Sequence, residues 1–332
     1  MPGSNQALAT DARILIREAR QNDLENPTLV SQYFLSAAPG IGRDLETTAA
    51  QTVLRANYAH ARIQIFADGG GGGVACLLLE DKPWDSAMTS LTIRSLVVLA
   101  SEPRADSRYE IISRLLEHWL DAYRKTSAGL VVTRIPADDT ALLHALEDQD
   151  FHVLVPMVTL GLAVARKVGV ALPSGIILSP IEAAQIHQAE NISAKAFLWG
   201  RFTVDPRVPG EGAEKIHRAW TRNCCLGMHA KHVLVARHKD EILGFIALKF
   251  QLAGTVQVGS IELMATAETS RGMGIGRALV QAGCNWLSDT VGYVVVRTEL
   301  SNIPALRLYE SQGFRVLNSS LYLRGWRNSS VQ

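Results

Sequence analysis

The 332-residue chain is long enough for two domains, and its 47% hydrophobic and 20% charged content fits a globular protein rather than a disordered chain. Thirty-three Lys and Arg against 32 Asp and Glu leave a formal charge of +1, without the basic excess expected of a nucleic-acid binder. The most apolar stretch, residues 158–178, is interrupted by Arg166, Lys167 and Pro173, so no membrane span is expected. The first twelve residues lack a basic start followed by an apolar core, so no signal peptide is expected either. Four cysteines, two of them adjacent (Cys224 and Cys225), make no disulfide framework, and a reducing cytoplasm is the expected location.

Hydrophobic periodicity predicts a strand at residues 14–16 and helical stretches through 44–59. Strands follow at 63–66, 74–79 and 91–99, then a helix at 109–123, a strand at 130–132, a helix at 140–149 and a last strand. The glycine run 69–73 joins two strands with no Lys-Ser/Thr and no helix after it, so it reads as a hairpin tip and not a phosphate loop. Residues 166–175, containing Pro173 and Gly175, read as a linker.

Beyond it come a strand at 175–178, a helix at 181–196, an irregular segment at 201–211 and a helix at 213–223. Strands at 232–236, 242–248 and 261–265 lead to a helix opening at Gly274. A fully apolar strand at 293–296, a helix at 304–312 and a terminal strand pair at 314–323 complete the order.

The two halves repeat one another. Trp119 corresponds to Trp286 at an offset of 167, and Asp150-Phe151 to Gly313-Phe314 at an offset of 163, so an ordinary loop difference separates them.

Two stretches carry chemistry. Arg271-Gly272-Met273-Gly274-Ile275-Gly276 follows an apolar strand and opens an amphipathic helix, with Arg277 next. Glycines let backbone approach a ligand, and a helix N-terminus offers free N–H groups and a positive dipole end, which together suit a pyrophosphate. The dinucleotide fingerprint G-x-G-x-x-G is missed by one residue, and a tight strand-to-helix turn without a ligand is the plain alternative. The second stretch runs Asn302-Ile-Pro-Ala305-Leu-Arg-Leu308-Tyr309-Glu310-Ser-Gln-Gly313-Phe314, with Asn302 as helix N-cap, Pro304 in the first turn and Gly313 at the stop.

In these two motifs, taken in order, residues 175–326 resemble the GNAT acyl-CoA N-acyltransferase superfamily. The resemblance implies an α/β (α+β mixed sheet) fold and acetyl-CoA as acyl donor, with transfer to a primary amine through a tetrahedral intermediate. It implies that backbone groups of Met264, Ala265 and Thr266 pair with pantetheine. Arg271, Gly272, Met273, Gly274, Ile275, Gly276 and Arg277 would hold the pyrophosphate, and Asn302 would sit beside the pantetheine arm. Tyr309 matches the tyrosine that protonates the departing thiolate, a group of pKa about 8.5 to which a phenol near 10 can deliver a proton at little cost. A buried aromatic filling the helix face is the competing assignment. Glu262, on the strand before the loop, is the nearest in-sequence carboxylate able to face the cleft and is the candidate base; a water, with Glu262 merely solvated or salt-bridged on its strand, is the other assignment.

The first half keeps the layout without these parts. Arg104 stands for Arg271, Ser107 for Gly274, Tyr109 for Gly276, Asp139 for Asn302 and Leu146 for Tyr309. The expected organisation is therefore two tandem GNAT-like domains: a degenerate, non-catalytic copy (1–165) packed on the second half, the linker (166–175) and a catalytic domain (176–332). A looser similarity to dTDP-fucosamine acetyltransferase and its relatives involves Pro83-Trp84-Asp85-Ser86, Arg201-Phe202, Arg218 to Asn223 and Tyr322 to Trp326. It implies an amino-sugar nucleotide acceptor touched by Arg201, Trp220 and Asn223. A peptide, an antibiotic or another amine is the alternative acceptor, and a non-catalytic acyl-CoA-binding module the alternative class. His229 and His232 lack further ligands, so no metal is expected. The sequence leaves the oligomeric state open.

Overall fold

A computed structural model describes residues 15–18, 63–68, 73–101, 105–123, 129–164, 166–253 and 256–327. The expected helices through 44–59 and the glycines 69–72 lie outside them. The first half contributes β1 (Leu15–Glu18), β2 (Ile63–Asp68), β3 (Val74–Asp81), α1 (Pro83–Thr89), β4 (Ile93–Ser101), α2 (Ala105–Tyr123), β5 (Gly129–Pro136), α3 (Thr140–Glu147) and β6 (Phe151–Ala163). The second contributes β7 (Ile176–Pro180), α4 (Ile186–Ala196), α5 (Arg201–Val204), α6 (Gly210–Cys225), β8 (His232–His238), β9 (Glu241–Ala253) and β10 (Val256–Thr266). It ends with α7 (Ile275–Leu287), β11 (Tyr293–Glu299), α8 (Ile303–Ser311) and β12 (Arg315–Arg327). Helix α1 had no sequence expectation. The expected terminal strand pair is one 13-residue strand, β12.

All described strands join one mixed sheet in the order β1-β2-β3-β4-β5-β12-β6-β11-β10-β9-β8-β7. The halves therefore do not merely pack; they exchange their last strands. β6 pairs with β11 from Tyr293↔Ala163 to Glu299↔Met157, while β12 pairs with β5 from Ser320↔Pro136 to Arg327↔Gly129. β6 and β12 pair with each other at the centre. Side-chain alternation shows what the exchange buries. Leu323 of β12 completes a core with Trp119, Leu146 and Phe151 of the first half. Val158 and Leu160 of β6 complete the core under α7 and α8 with Leu279, Leu287 and Phe314. Each such leucine, fully buried, contributes about 1.5–3 kcal/mol.

Helices α2, α3, α7 and α8 cover one face of the sheet, and α1, α4, α5 and α6 the other. In each half one parallel pair parts early. β10 and β11 are partners only from Gly259↔Val294 to Ile261↔Val296, although β10 runs on to Thr266. β4 and β5 are partners from Ile93↔Leu130 to Leu96↔Thr133, although β4 runs on to Ser101. Among the described residues no helix is long and apolar enough to cross a membrane.

Candidate active site

The gap between β10 and β11 is built by backbone. A bulge in β10 between Ile261 and Leu263 shifts its register against β9, and Met264, Ala265 and Thr266 stay paired to β9 on one side only. Their other side faces the gap, which leaves main-chain groups available to an extended ligand. The chain then turns through a 3-10 segment, Glu268–Ser270, pinned where the buried Ser270 hydroxyl donates to the Leu243 carbonyl at 2.7 Å. Gly272 and Gly274 follow with φ of +80° and +81°, values that L side chains adopt only under strain. Gly274 is the N-cap of α7 and offers no side-chain acceptor, so the first-turn N–H groups of the helix stay open. A Cβ at Gly276 would meet Leu308 at 3.2 Å, so the loop and α8 approach closely.

These elements enclose a cavity of about 870 Å³. The strand end 264–266, the loop 271–277 and Asn302 all line it. Asn302 caps α8 by accepting from the Ala305 amide at 3.3 Å, and its own amide donates to Thr298 at 3.3 Å. At the rim stand three exposed guanidiniums. Arg271 lies 3.7 Å from the Glu268 carboxylate, and Arg277 and Arg307 have no ion pair among the described residues. Open N–H groups, a positive helix end and these cations fit a polyphosphate.

Sequence reasoning missed one wall. Ala171, Leu172 and Pro173, read as linker, line the cavity, as do Phe197, Trp199 and Arg307. The linker is clasped to α7: Asn285 accepts from the Val168 amide and donates to its carbonyl, both at 2.8 Å, and Lys167 pairs with Asp289 at 2.7 Å. No local pattern in 166–175 announces this, because the contacts come from residues more than a hundred positions away. Arg307 lay inside the second motif and was legible as a cation on the turn after Asn302.

The candidate acid and base lie behind the cavity wall. Tyr309 is 4% exposed, tilted against Phe314 at 5.4 Å between ring centroids, and burial first, then Cys284, pushes its phenol well above the usual value. It lies one turn beyond the cavity-lining Ala305. Glu262 sits at the bulge, salt-bridged to Lys249 at 2.8 Å and accepting from the Ser260 hydroxyl at 2.8 Å.

The three expected acceptor contacts are not gathered at one point. Arg201 lies over the Tyr322 ring, donates to its hydroxyl at 2.9 Å and faces Asp85 at 3.6 Å, pinning α5 to the first half. Trp220 packs against the apolar core beneath α4 and α6. Asn223 closes the turn after α6, its carbonyl accepting from Met228 at 2.9 Å. Burial, with Arg201 nearby, lowers His217 to about 4, so it is neutral near pH 7. Desolvation raises Cys224 to about 12 and Cys225 to about 11, which keeps both thiols protonated and unreactive. His232 stacks on Trp286 at 4.6 Å, and no group of three metal-ligating side chains occurs among the described residues.

The corresponding gap of the first half is filled. The β3–β4 register runs unbroken from Val74↔Ser101 to Asp81↔Arg94, with no bulge. Arg108, on the first turn of α2, donates to the Ala100 carbonyl at the end of β4 and pairs with Asp139 at 2.5 Å. The two side chains are 14% and 13% exposed. Asp139 also caps α3, accepting from Leu142 at 3.2 Å. Leu146, in the place of Tyr309, is fully buried. Arg104 lies outside the described residues.

Comparison with known proteins agrees with this geometry. Residues 194–314 match the model of the acetyltransferase (GNAT) family. The spore coat polysaccharide biosynthesis protein SpsD of Bacillus subtilis is 26% identical over 252 residues, 75% of this chain and 83% of that protein. Among solved structures, a GCN5-related N-acetyltransferase from Sphaerobacter thermophilus matches with a TM-score of 0.62 at 15% identity, over 95% of this chain and 96% of that one. A tandem GNAT protein from the clavulanic acid biosynthesis pathway matches with a TM-score of 0.57 at 12% identity, over 96% of this chain and all of that one. At such identities the two structures speak for the fold, a tandem one included.

Proposed function

We propose that this chain, which belongs to the GNAT acetyltransferase superfamily and is an acyltransferase, moves the acetyl group of acetyl-CoA to a primary amine of a small molecule, foremost an amino-sugar nucleotide. One observation carries the donor half of this reading: a splayed strand pair ends on an uncapped helix N-terminus with two left-handed glycines and three guanidiniums around one cavity. The kinship with a polysaccharide biosynthesis protein supports the acceptor half.

The donor, when bound, supplies a thioester whose carbonyl is open to attack by an amine. The α7 N-terminus and Arg271, Arg277 and Arg307 hold its phosphates, and the free edge at Met264, Ala265 and Thr266 pairs with its extended arm. Glu262 projects on the face away from α7 and takes the amine proton through a water, its carboxylate kept in place by Lys249 and Ser260. Side chains on a helix lean toward its N-terminus, so Tyr309 on α8 leans toward Ala305 and Asn302. From there its phenol, protonated near pH 7 and made a weaker acid than a free phenol by its burial, donates to the leaving sulfur. The reaction takes place in the cytoplasm.

A panel of primary amines with acetyl-CoA, read by release of free thiol, tests the proposal. Amino-sugar nucleotides should release thiol faster than unrelated amines. Thiol release no faster than hydrolysis with every amine would overturn it.

A further inference from the structure

The sheet face under α5 and α6 carries an arrangement that the donor chemistry leaves unused. Arg134 on β5 stands opposite Tyr322 on β12, on the face of Leu130 and Val132. Arg297 on β11 stands opposite Thr159 on β6, which stands opposite Asn318 on β12. Directly paired residues share a face, and Arg297 alternates with Val294 and Val296, which point to α7. The two arginines thus lie on one face, one from each half of the chain, with the exchanged strands β12 and β6 between them.

Neither arginine has an ion-pair or hydrogen-bond partner among the described residues. The carboxylates of this face are engaged elsewhere or turned aside: Glu262 is paired with Lys249, Asp85 with Arg201 and Asp205 with Arg324, and Glu299 lies toward Gly200 and His217. The amide nitrogen of Asn318, buried in the same row as Arg297, also lacks an acceptor. Arg201 lies close by, bound through the Tyr322 hydroxyl. Arg297 is exposed, yet the protein crowded around it, and next the charge of Arg134, hold its guanidinium down to about 10 against the smaller opposing influence of Tyr322 and Glu262. Two like charges and an orphaned donor make a face rich in donors and short of acceptors, which is unfavourable until an anion arrives.

We infer that this face is the acceptor's anchoring site and that the acceptor carries a phosphate-type oxyanion seated between Arg134 and Arg297. Guanidiniums are suited to this task because their planar forks meet phosphate oxygens in pairs. The inference rests on the acetyltransferase reading and deepens it. It also gives the first half a binding role, since Arg134 comes from there.

Inorganic pyrophosphate titrated calorimetrically into the CoA-saturated chain provides the test, with melting temperature recorded in parallel. CoA occupies the donor cleft, so pyrophosphate reports on a second site. Arg134→Gln and Arg297→Gln should each weaken pyrophosphate at least tenfold, Arg297→Lys should weaken it less, and Arg277→Gln should leave it within twofold. Because each Gln variant removes an unpartnered like charge, its melting temperature should hold or rise. With glucosamine and glucosamine 1-phosphate as matched amines, the preference for the phosphorylated one should shrink toward unity in both Gln variants. Absence of pyrophosphate binding, equal binding by the Gln variants, or a loss matched by a fallen melting temperature would overturn the inference. Failure of CoA itself to bind would break the donor reading alone, and the same variants titrated without CoA would still decide the arginine site.

Discussion

Both halves part a parallel strand pair at its carboxyl end, and they fill the gap in opposite ways. Between β10 and β11 the backbone carries a bulge, two left-handed glycines and an uncapped helix, and the gap remains a cavity of about 870 Å³. Beside the gap between β4 and β5 the β3–β4 register has no bulge, Ser107 stands for the left-handed Gly274 and Tyr109 for Gly276, and the Arg108–Asp139 pair spans the gap. The fold is the same and the chemistry differs, so function resides in a few positions set on a shared scaffold. The half whose gap is filled is nevertheless kept in place by strand exchange, because each half completes the other's core.

The comparison breaks most severely if the halves are separated. Expressed as 1–165 and 176–332, each piece loses the strand that closes its core, Leu323 in one case and Val158 and Leu160 in the other. Neither piece should show a cooperative melting transition, and mixing them should restore one. A cooperative transition in either piece alone would contradict the exchange.

The next effect belongs to Tyr309, where the first half has Leu146. Tyr309→Phe keeps the packing against Phe314 and removes the hydroxyl, so kcat should fall about 10²–10⁴-fold. Acetyl-CoA affinity and melting temperature should stay close to those of the parent. Normal turnover would make Tyr309 a packing residue only.

Arg108→Ala addresses the filled gap. Removing one partner of a largely buried pair leaves Asp139 uncompensated, and a loss of about 3 kcal/mol in unfolding free energy is expected. Acetyl-CoA binding in the second half should not change. Gly274→Asp does the reverse. It imposes a left-handed conformation on a residue with a side chain and puts a negative charge at the uncapped α7 N-terminus that lines the cavity. Acetyl-CoA should bind at least tenfold more weakly, about 1.4 kcal/mol, in a chain that still folds.

Much of this contrast was legible in the sequence because it is local. The loop 271–277 and the Asn302 cap are runs in which spacing fixes geometry: glycine where φ is positive, Asn before Pro304 at a helix start. The replacement of Gly274 and Gly276 in the first half could be read the same way. Strand exchange could not. β6 and β12 carry similar apolar alternation, and periodicity tells which face a strand buries without telling which neighbour it pairs with. The run Asn318-Ser319-Ser320 also hid the length of β12, since polar residues there sit inside a strand that crosses two partners. The wall at Ala171, Leu172 and Pro173 was hidden for a like reason: proline and glycine mark a loop, and only the clasp of Asn285 brings it to the cavity. Tyr309 and Glu262 were legible as positions, but their burial and ion pairing were not, because both depend on residues from other strands and helices.

The central claim is that one gap is open and the other filled, and the stoichiometry of donor binding tests it most directly. Calorimetric titration of acetyl-CoA into the full chain should give one site per chain, abolished or strongly weakened by Gly274→Asp and unaffected by Arg108→Ala. A stoichiometry near two, or a single site that survives Gly274→Asp at full affinity, would contradict the account.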